Sequence, residues 1–278
     1  MVTEILSAIW NKGLIQPIAN LIVLLTIYTH NLGVSVMLTS LFTQLLFLPF
    51  TIKRYKTAQK LADLYPQLRK LQKKYKKNIK KLKKAQSQLY KTHGVKPATN
   101  WLLLLITIPI MIALYKVVFM LSQDQVQALT QLLYPAVQKL VETKGLILNY
   151  YLGNINLLEP PPLYLLIILA ITYTLSVFSN YLLFNYLPKS IAIRELKEQL
   201  KRSNKHMKEA EITLLANTLY YTRYFQLFLG GLLPAFIMRQ FPALLTVYLL
   251  SYSTVQLVIN SVFYFLTKGG VKLPQNIA

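Results

Sequence analysis

The chain has 278 residues, of which 54% are hydrophobic, and its mean hydropathy is +0.39. Several apolar runs reach the roughly 20 residues that a helix needs to cross a bilayer, so the composition indicates a polytopic membrane protein rather than soluble domains. The formal charge of +22 comes from 31 basic and nine acidic residues, and the chain contains no cysteine. Disulfide frameworks, thiol nucleophiles and thiolate metal sites are therefore excluded for this chain.

Residues 1–32 are interpreted as an N-terminal segment that contains an interfacial helix. The apolar run at 14–30 is short and has Pro17 and Asn20 near its start, which is more typical of an interfacial or re-entrant helix than of a span. If it did span, the amino terminus would move to the cytoplasmic side. The start of the chain lacks the basic region and cleavage site of a signal peptide, so the sequence is expected to begin as a mature protein.

A first span is predicted at 33–52, and a strongly basic block follows it at 53–97. The block holds sixteen Lys or Arg and a single acid, Asp63, so it carries +15 of the formal charge. Because Lys and Arg are retained in short cytoplasmic loops, the block is predicted to be cytoplasmic. Its leucines recur at alternating steps of three and four. We therefore predict an antiparallel helical hairpin that is kinked at Pro66 and ends near Gly94.

Eight lysines near the expected bend of this hairpin are candidate contacts for a cytoplasmic partner. Clustered Lys attracts anionic lipid and also neutralises phosphate. Two roles stay open: lipid contact together with orientation of the chain, or docking of a ribosome, RNA or a translocon. No dedicated recognition of a nucleic-acid sequence is expected. The lysines are Lys73, Lys74, Lys76, Lys77, Lys80, Lys81, Lys83 and Lys84.

The remaining segments complete a prediction of five spans with the amino terminus outside and the carboxyl terminus inside. The predicted outer loop carries a net charge of −1, which contrasts with +15 on the basic block and fixes the orientation. An amphipathic helix is expected in that loop, between Val126 and Leu140. The predicted segments are a second span at 101–121, the outer loop at 122–160, a third span at 161–187, a cytoplasmic loop at 188–213, a fourth span at 216–238, a fifth span at 243–266 and a short cytoplasmic tail at 267–278.

The chemistry of an enzyme or an ion-coupled pump is not visible in the sequence. All nine acids fall outside the five predicted spans, whereas a proton- or sodium-coupled transporter normally needs an intramembrane carboxylate. The three histidines are far apart, and no phosphate loop, nucleophile elbow or zinc motif is recognisable. We therefore expect no enzymatic activity, no cofactor and no metal site.

Polar residues inside the predicted spans carry the functional information, because each is costly in lipid unless it faces protein or water. Two interpretations stay open: hydrogen bonds between helices, or a wet groove that opens to the cytoplasm. The candidate groove residues are Thr43, Gln44, Asn180, Asn217, Tyr220, Arg223, Gln226, Gln256 and Asn260.

Four stretches, in order and over nearly the whole chain, resemble the YidC/Oxa/Alb family of membrane protein insertases. The most specific is a Tyr-Lys-x-x-x-Val-x-Pro pattern that closes the basic block and precedes a Pro-Ile-x-x-Ala-Leu-Tyr run. The residues that carry the resemblance are Leu46 to Pro49 in the first span, Tyr90, Lys91, Val95, Pro97 and Pro109 to Tyr115 around the second, the stretch from Leu152 to Asn180, and the stretch from Leu232 to Asn260.

The resemblance implies non-enzymatic insertion and folding of nascent membrane proteins through a hydrophilic groove among five helices. Anionic lipids, a ribosome and a Sec-type translocon are the further partners expected from the basic block. The bacterial plasma membrane is the expected location, with an organelle inner membrane as the alternative. One departure is that Gln44 stands where the family usually carries an arginine, five residues before Pro49. Arg223 is hypothesised to supply that charge.

Two other functions stay open from the residues alone. A small channel or permease would use the same polar groups and would pass ions or lipids without any nascent chain. A membrane tether for ribosomes or RNA would act through residues 53–97, and its binding would weaken steeply with salt.

Overall fold

A computed structural model describes residues 10–75, 78–95, 112–117, 119–120, 126–145, 149–184, 193, 196–198, 200–201 and 208–268. Over these residues the chain is helical apart from one small β-hairpin, as the sequence predicts. The elements are α1 (Gln16–Thr29, preceded by a π-helical turn at Asn11–Ile15), α2 (Leu32–Lys74), α3 (Ile79–Thr92), α4 (Val126–Gln131), α5 (Pro135–Lys144), β1 (Tyr151–Leu152), β2 (Ile155–Asn156), α6 (Leu163–Phe184), α7 (Glu209–Met238) and α8 (Ala243–Lys268).

Four of the described helical segments are long and apolar enough to cross a bilayer, which confirms an all-α polytopic membrane protein. The predicted first, third and fifth spans are among them. α7 covers the predicted fourth span but is not one of the four, because the first half of this helix is rich in polar residues. Most of the predicted second span and of the tail lies outside the described residues. The four segments are Asn11–Thr29, Leu32–Thr57, Leu163–Leu183 and Ala243–Leu266.

The long helix α2 joins the predicted first span to the first arm of the basic hairpin without a break. It has 43 residues and contains both Pro49 and Pro66. Asn31 caps its start, since the side-chain oxygen accepts a hydrogen bond from the Val34 N–H at 3.1 Å. The span and the hairpin arm are therefore one continuous element, and the basic block does not begin at a helix boundary.

The helical hairpin is confirmed by the packing of α3 against the far half of α2. The chain reverses between Tyr75 and Asn78, and Asn78 caps α3 by accepting from the Lys81 N–H at 3.0 Å. Leu64 and Leu68 of α2 are buried in a cluster with residues that lie at and beyond the end of α3. This pairing of early and late residues makes the two arms antiparallel. The placement of the hairpin in the cytoplasm stays a prediction.

The predicted single amphipathic helix at 126–140 is wrong, because the structure has two short helices there. Pro135 has no N–H to donate and therefore begins a new helix, α5, at its first position. The side chain of Asn20 in α1 forms hydrogen bonds with the backbone between α4 and α5. Its side-chain amide donates to the Leu132 carbonyl at 3.1 Å, and its oxygen accepts from the Tyr134 N–H at 2.7 Å. α1 thus packs on the segment predicted to be the outer loop. Its interfacial position stays a prediction, since Asn11–Thr29 is itself long and apolar enough to cross a bilayer.

Residues 149–159, named here the outer clamp, tie together the starts of α2 and α8. The Leu32 N–H donates to the Asn149 carbonyl at 3.1 Å, and the Ala243 N–H donates to the Glu159 carbonyl at 2.7 Å. These bonds satisfy N–H groups that a helix cannot pair by itself at its first turn. Leu157 of the clamp is fully buried in the main hydrophobic core. One end of the helix assembly is therefore fixed by backbone bonds and apolar packing.

α8 lies between α2 and α6. It packs along both, whereas α2 and α6 contact each other at few positions; α7 packs mainly on the other side of α6. Because α2, α6 and α8 all begin near the outer clamp, they run in the same direction. The seam between α2 and α6, with α8 as its floor, positions the candidate site. Large apolar side chains on the outward faces of α2, α6 and α7 are exposed, which suits contact with lipid.

Candidate functional site

Polar side chains meet in the seam at two depths. An α-helix rises 1.5 Å per residue, so distance from the outer clamp can be read from the residue number. Gln44 lies about 18 Å along α2 from its start, and Asn260 about 26 Å along α8. We name the first depth the middle level and the second the inner level. The middle level comprises Ser40, Thr43, Gln44, Thr172, Tyr252 and Ser253, and the inner level comprises Arg54, Tyr55, Ser176, Ser179, Asn180, Gln256 and Asn260.

At the middle level, Gln44 joins α2 to the backbone of α8. The side chain is only 7% exposed, and its Nε2 donates to the Tyr252 carbonyl at 3.3 Å and approaches Ser40 Oγ at 3.5 Å. No donor in the described part of the chain reaches Gln44 Oε1. The neighbouring hydroxyl of Thr43 donates to the Ser40 carbonyl at 2.9 Å. The buried Gln44 amide thus donates hydrogen bonds through Nε2, while its oxygen accepts none from the described residues.

At the same depth, α8, the floor of the seam, is joined to α6 by a hydrogen bond between side chains. Ser253 Oγ of α8 lies 3.2 Å from Thr172 Oγ1 of α6 and 3.0 Å from the Leu250 carbonyl. Hydroxyl groups of this kind can satisfy themselves within their own helix or across to a neighbour. The middle level is therefore a polar band that crosses all three helices.

At the inner level, the fully buried Asn260 is the centre of a hydrogen-bond network. Its Oδ1 accepts hydrogen bonds from the Gln256 amide at 3.0 Å and from the Tyr55 hydroxyl. Its Nδ2 donates to Ser179 Oγ at 2.9 Å and reaches the Ser176 carbonyl at 3.4 Å. With two bonds on each side the amide uses its full capacity. Asn260 thereby fastens α8 to both α2 and α6.

Arg54 makes the direct link between the two walls of the seam. Its Nη2 donates to Asn180 Oδ1 of α6 at 2.7 Å, while the next residue, Tyr55, stacks on Phe263 of α8 with ring centroids 4.0 Å apart. Adjacent residues of α2 therefore contact two different helices. The inner end of the seam is closed by side chains, whereas its outer end is closed by backbone.

The sequence comparisons agree with this architecture. The sequence pattern that defines the 60Kd inner membrane protein family matches residues 24–267, which is most of the chain. The chain belongs to this family. The resemblance to the YidC/Oxa group is thereby confirmed, and the chain is an integral membrane protein.

Several curated relatives are each named membrane protein insertase YidC. One from Geotalea daltonii is 35% identical over 107 residues, which is 38% of this chain and 20% of the relative. One from Magnetococcus marinus is 33% identical over 111 residues, covering 40% of this chain and 20% of the relative. One from Clostridium perfringens is 36% identical over 127 residues, covering 41% of this chain and 53% of the relative. The chain thus aligns with about a fifth to about half of the length of these relatives.

Within this family fold, the predicted groove residues fall into three groups. Thr43 and Gln44 lie at the middle level, and Asn180, Gln256 and Asn260 lie at the inner level. Asn217, half-buried, and Tyr220, 6% exposed, lie on α7, which packs chiefly along α6. The side chains of Arg223 and Gln226 fall outside the described part of the structure. The hypothesis that Arg223 supplies a charge therefore stays a prediction.

Sequence reasoning missed Arg54, Tyr55 and Ser179. Arg54 and Tyr55 were assigned to the basic block, because the span was predicted to end at residue 52. A usable signal was present: α2 has no helix-breaking residue between Pro49 and Pro66, so the residues just beyond position 52 continue along the faces of the span. No local pattern indicates that Tyr55 meets Asn260, which lies 205 residues away.

The lysines of the basic hairpin point to solvent where their side chains are described. Lys74, Lys80, Lys81, Lys83 and Lys84 are exposed. The side chains of Lys73, Lys76 and Lys77 lie outside the described part of the structure. The exposed ammonium groups are available to anionic lipid or phosphate.

Proposed function

We propose that this chain is an insertase and chaperone for membrane proteins in a bacterial plasma membrane, with its amino terminus outside and its carboxyl terminus inside. Family membership and the name shared by the relatives support the insertase activity. The single observation that carries it for this chain is the pair of polar levels in the seam between α2 and α6. The activity needs no cofactor and is not enzymatic.

The physical problem of insertion is the transfer of a polar tail across hydrocarbon. Each unpaired polar group of the tail costs several kcal/mol in lipid. Polar groups about 18 and 26 Å from the outer end of the helices would shorten the apolar distance that remains. Entering from the hairpin side, a tail would meet first the inner and then the middle level. The last part, beside the outer clamp, offers small buried hydroxyls, among them Ser35, Thr39 and Thr246.

The seam has to open for a tail to reach these groups, because Gln44 and Asn260 are buried at 7% and 0% exposure. We propose that α2 and α6 separate at the inner end. They contact each other at few positions, and the Arg54–Asn180 and Tyr55–Asn260 hydrogen bonds close that end. Breaking both bonds would loosen the inner part of α2, whose Tyr55 also packs in a small apolar cluster, while the outer clamp holds the far end.

The apolar segment of the substrate would slide along the lipid-facing sides of the same two helices. On α2, Leu45 and Leu46 are more than half exposed, and on α6, Ile171 is 56% exposed. These faces flank the seam and are as apolar as lipid. A nascent membrane protein could thus keep its tail in the seam and its span in lipid.

The basic hairpin is proposed to bind anionic lipid at the cytoplasmic surface and, in the cell, to receive nascent chains from a ribosome or a Sec-type translocon. α2 continues from the seam into the hairpin, so binding at the hairpin would act on the inner end of the seam directly. A tether function for the hairpin alone is the second candidate, favoured by its exposed lysines. It predicts ribosome binding that weakens with salt and does not change in Asn260→Leu.

The test is insertion of a small single-span protein with a short amino tail into proteoliposomes. Wild type is compared with empty liposomes and with two neighbouring variants, Asn260→Leu and Ser261→Ala. Ser261 bonds only within its own helix, to the Leu257 carbonyl at 2.8 Å, and serves as the matched control. Wild type and Ser261→Ala are expected to insert, and Asn260→Leu to lose most of the activity. Ion or lipid flux without insertion would show that the protein acts as a channel or permease rather than as an insertase.

A further inference from the structure

The two polar levels differ in how much hydrogen-bonding capacity they have left. Asn260 at the inner level uses both its donor and its acceptor side. Gln44 at the middle level uses only its donor side, and its Oε1 is buried without a donor among the described residues. The other buried side-chain atoms in this condition within the described chain are hydroxyl oxygens, and a hydroxyl can also act as a donor. Gln44 Oε1 can only accept.

The orientation of the Gln44 amide is fixed by its neighbour. The Tyr252 carbonyl can only accept a hydrogen bond, so the atom that faces it at 3.3 Å has to be the donor, Nε2. A flipped amide would set two acceptor oxygens against each other. The oxygen of Gln44 is therefore the atom left over, and a buried acceptor without a donor is costly.

The remaining polar groups beside Gln44 do not supply that donor. The Thr43 hydroxyl donates to the Ser40 carbonyl, and Ser40 Oγ is approached by Gln44 Nε2 itself. Together with the Tyr252 carbonyl, these groups beside Gln44 are mainly oxygen atoms, and none of them carries a formal charge. A ligand at this position is recognised by the hydrogens that it donates.

We propose that Gln44 is a specificity-determining residue, whose oxygen accepts a hydrogen bond from an uncharged donor group on the substrate's tail as the tail passes the middle level. This inference rests on the proposed insertase function. The favoured tails carry side-chain amides, which bring N–H donors. Carboxylate tails bring acceptors alone and cannot form a hydrogen bond with Gln44 Oε1.

The test uses two single-span substrates that differ only in the tail, one with three Asn and one with three Asp at the same positions. Asn and Asp have nearly the same shape but differ in charge as well as in N–H donors, so the effect of the donor is read from the change in their ratio when the acceptor is removed. Wild type is compared with Gln44→Met, which keeps the size of the side chain and removes the acceptor. Insertion into proteoliposomes is measured without a membrane potential, and empty liposomes give the intrinsic difference between the tails.

The readout is the Asn-to-Asp insertion ratio. Wild type is expected to exceed Gln44→Met in this ratio by about tenfold, since a site built to bind a donor discriminates against an analogue that lacks it. Gln44→Arg, which has donors alone, is expected to reverse the preference. Equal ratios in wild type and Gln44→Met would overturn the inference while the insertase function stands. No insertion of either tail by wild type would remove the proposed function itself.

A second measurement does not depend on completed insertion. The chain has no cysteine, so Ser253→Cys on the floor of the seam can be paired with one cysteine in the substrate's tail. Disulfide trapping is expected to favour the Asn tail in the Gln44 background by about tenfold and to show no preference in the Gln44→Met background. Equal trapping of both tails with Gln44 present would contradict the inference even if a variant lost stability.

Discussion

The outer and inner ends of the α2–α8–α6 assembly are held together in different ways. At the outer end, the clamp at 149–159 bonds through its backbone to the first residues of α2 and α8, and Leu157 and Leu244 are fully buried. At the inner end, the same helices are joined by side chains: the hydrogen bonds around Asn260, the Arg54–Asn180 bond and a small apolar cluster around Tyr55.

This difference indicates which end can open. Backbone N–H and C=O groups at helix starts have no alternative partners in hydrocarbon. Side-chain amides and hydroxyls can exchange their partners for water or for a polar tail. The outer end is therefore the fixed end of the assembly, and the inner end is the one that a substrate can enter.

The largest expected effect comes from over-packing α7 against α6. A methyl group on Gly231 would lie 2.3 Å from Thr174 Oγ1 and 2.6 Å from its Cα, so the two helices could not keep their approach. Gly231→Ala is expected to lower the free energy of unfolding by about 3 kcal/mol, measured by thermal unfolding in detergent. Gly230→Ala is the matched control, since nothing lies within 4 Å of its added methyl. Equal melting temperatures for the two variants would show that this contact is not tight.

A smaller loss is expected at the inner level. Asn260→Leu removes the acceptor shared by the buried Tyr55 and the half-buried Gln256, at a cost of about 2 kcal/mol. The same thermal assay should place Ser261→Ala within about 0.5 kcal/mol of wild type. If Asn260→Leu is as stable as wild type, the network does not hold the inner end.

Removing the side chain of Asn31, which caps α2, tests how much the outer end contributes to stability. Asn31 accepts from the Val34 N–H and donates to the Tyr151 carbonyl at 2.8 Å, so Asn31→Ala is expected to cost about 1 kcal/mol. Asn78→Ala removes the same kind of cap from α3 in the hairpin. It should leave the main unfolding transition unchanged and increase amide exchange only in the hairpin. If Asn78→Ala lowered the main unfolding transition more than Asn31→Ala, the hairpin rather than the outer end would limit stability.

The smallest effect concerns pH. Lys201 hydrogen-bonds Glu209 at 2.5 Å at the start of α7, and this bond lowers the pKa of the Glu209 carboxyl below its ordinary value. Because the pKa is depressed in the folded state, the contribution is present above the ordinary carboxyl pKa and is lost as the pH falls through the depressed value. Titration of the carboxyl by NMR should show the shift, and Lys201→Gln should abolish it. Both groups are exposed, so global stability should change little.

Much of the helical architecture follows from local sequence. Apolar runs predicted three of the spans, the charge contrast and the leucine spacing predicted the hairpin, and Gln44, Gln256 and Asn260 stood out as polar residues in apolar surroundings. The break at Pro135 was also visible, because a proline in a helical pattern marks a boundary. Amphipathic spacing on both sides of a proline does not show that one helix continues through it.

The partners of the polar residues could not be predicted in the same way. Tyr55 meets Asn260 and Arg54 meets Asn180 across 205 and 126 residues, and hydropathy carries no information about such pairs. The outer clamp was missed for a related reason: its bonds are made by backbone atoms, which every sequence possesses. Only the packing of α8 between α2 and α6 brings these groups together.

The most direct test of an assembly that opens at its inner end is labelling of single cysteines by a membrane-impermeant maleimide applied from the hairpin side. Ser179→Cys reports the inner level, Ser253→Cys the middle level, and Thr246→Cys, near the clamp, the outer end. We expect fast labelling of Ser179→Cys, slower labelling of Ser253→Cys, none of Thr246→Cys, and protection of the first two while a substrate's tail is engaged. Labelling of Thr246→Cys as fast as Ser179→Cys, or no labelling at Ser179→Cys, would contradict opening at the inner end.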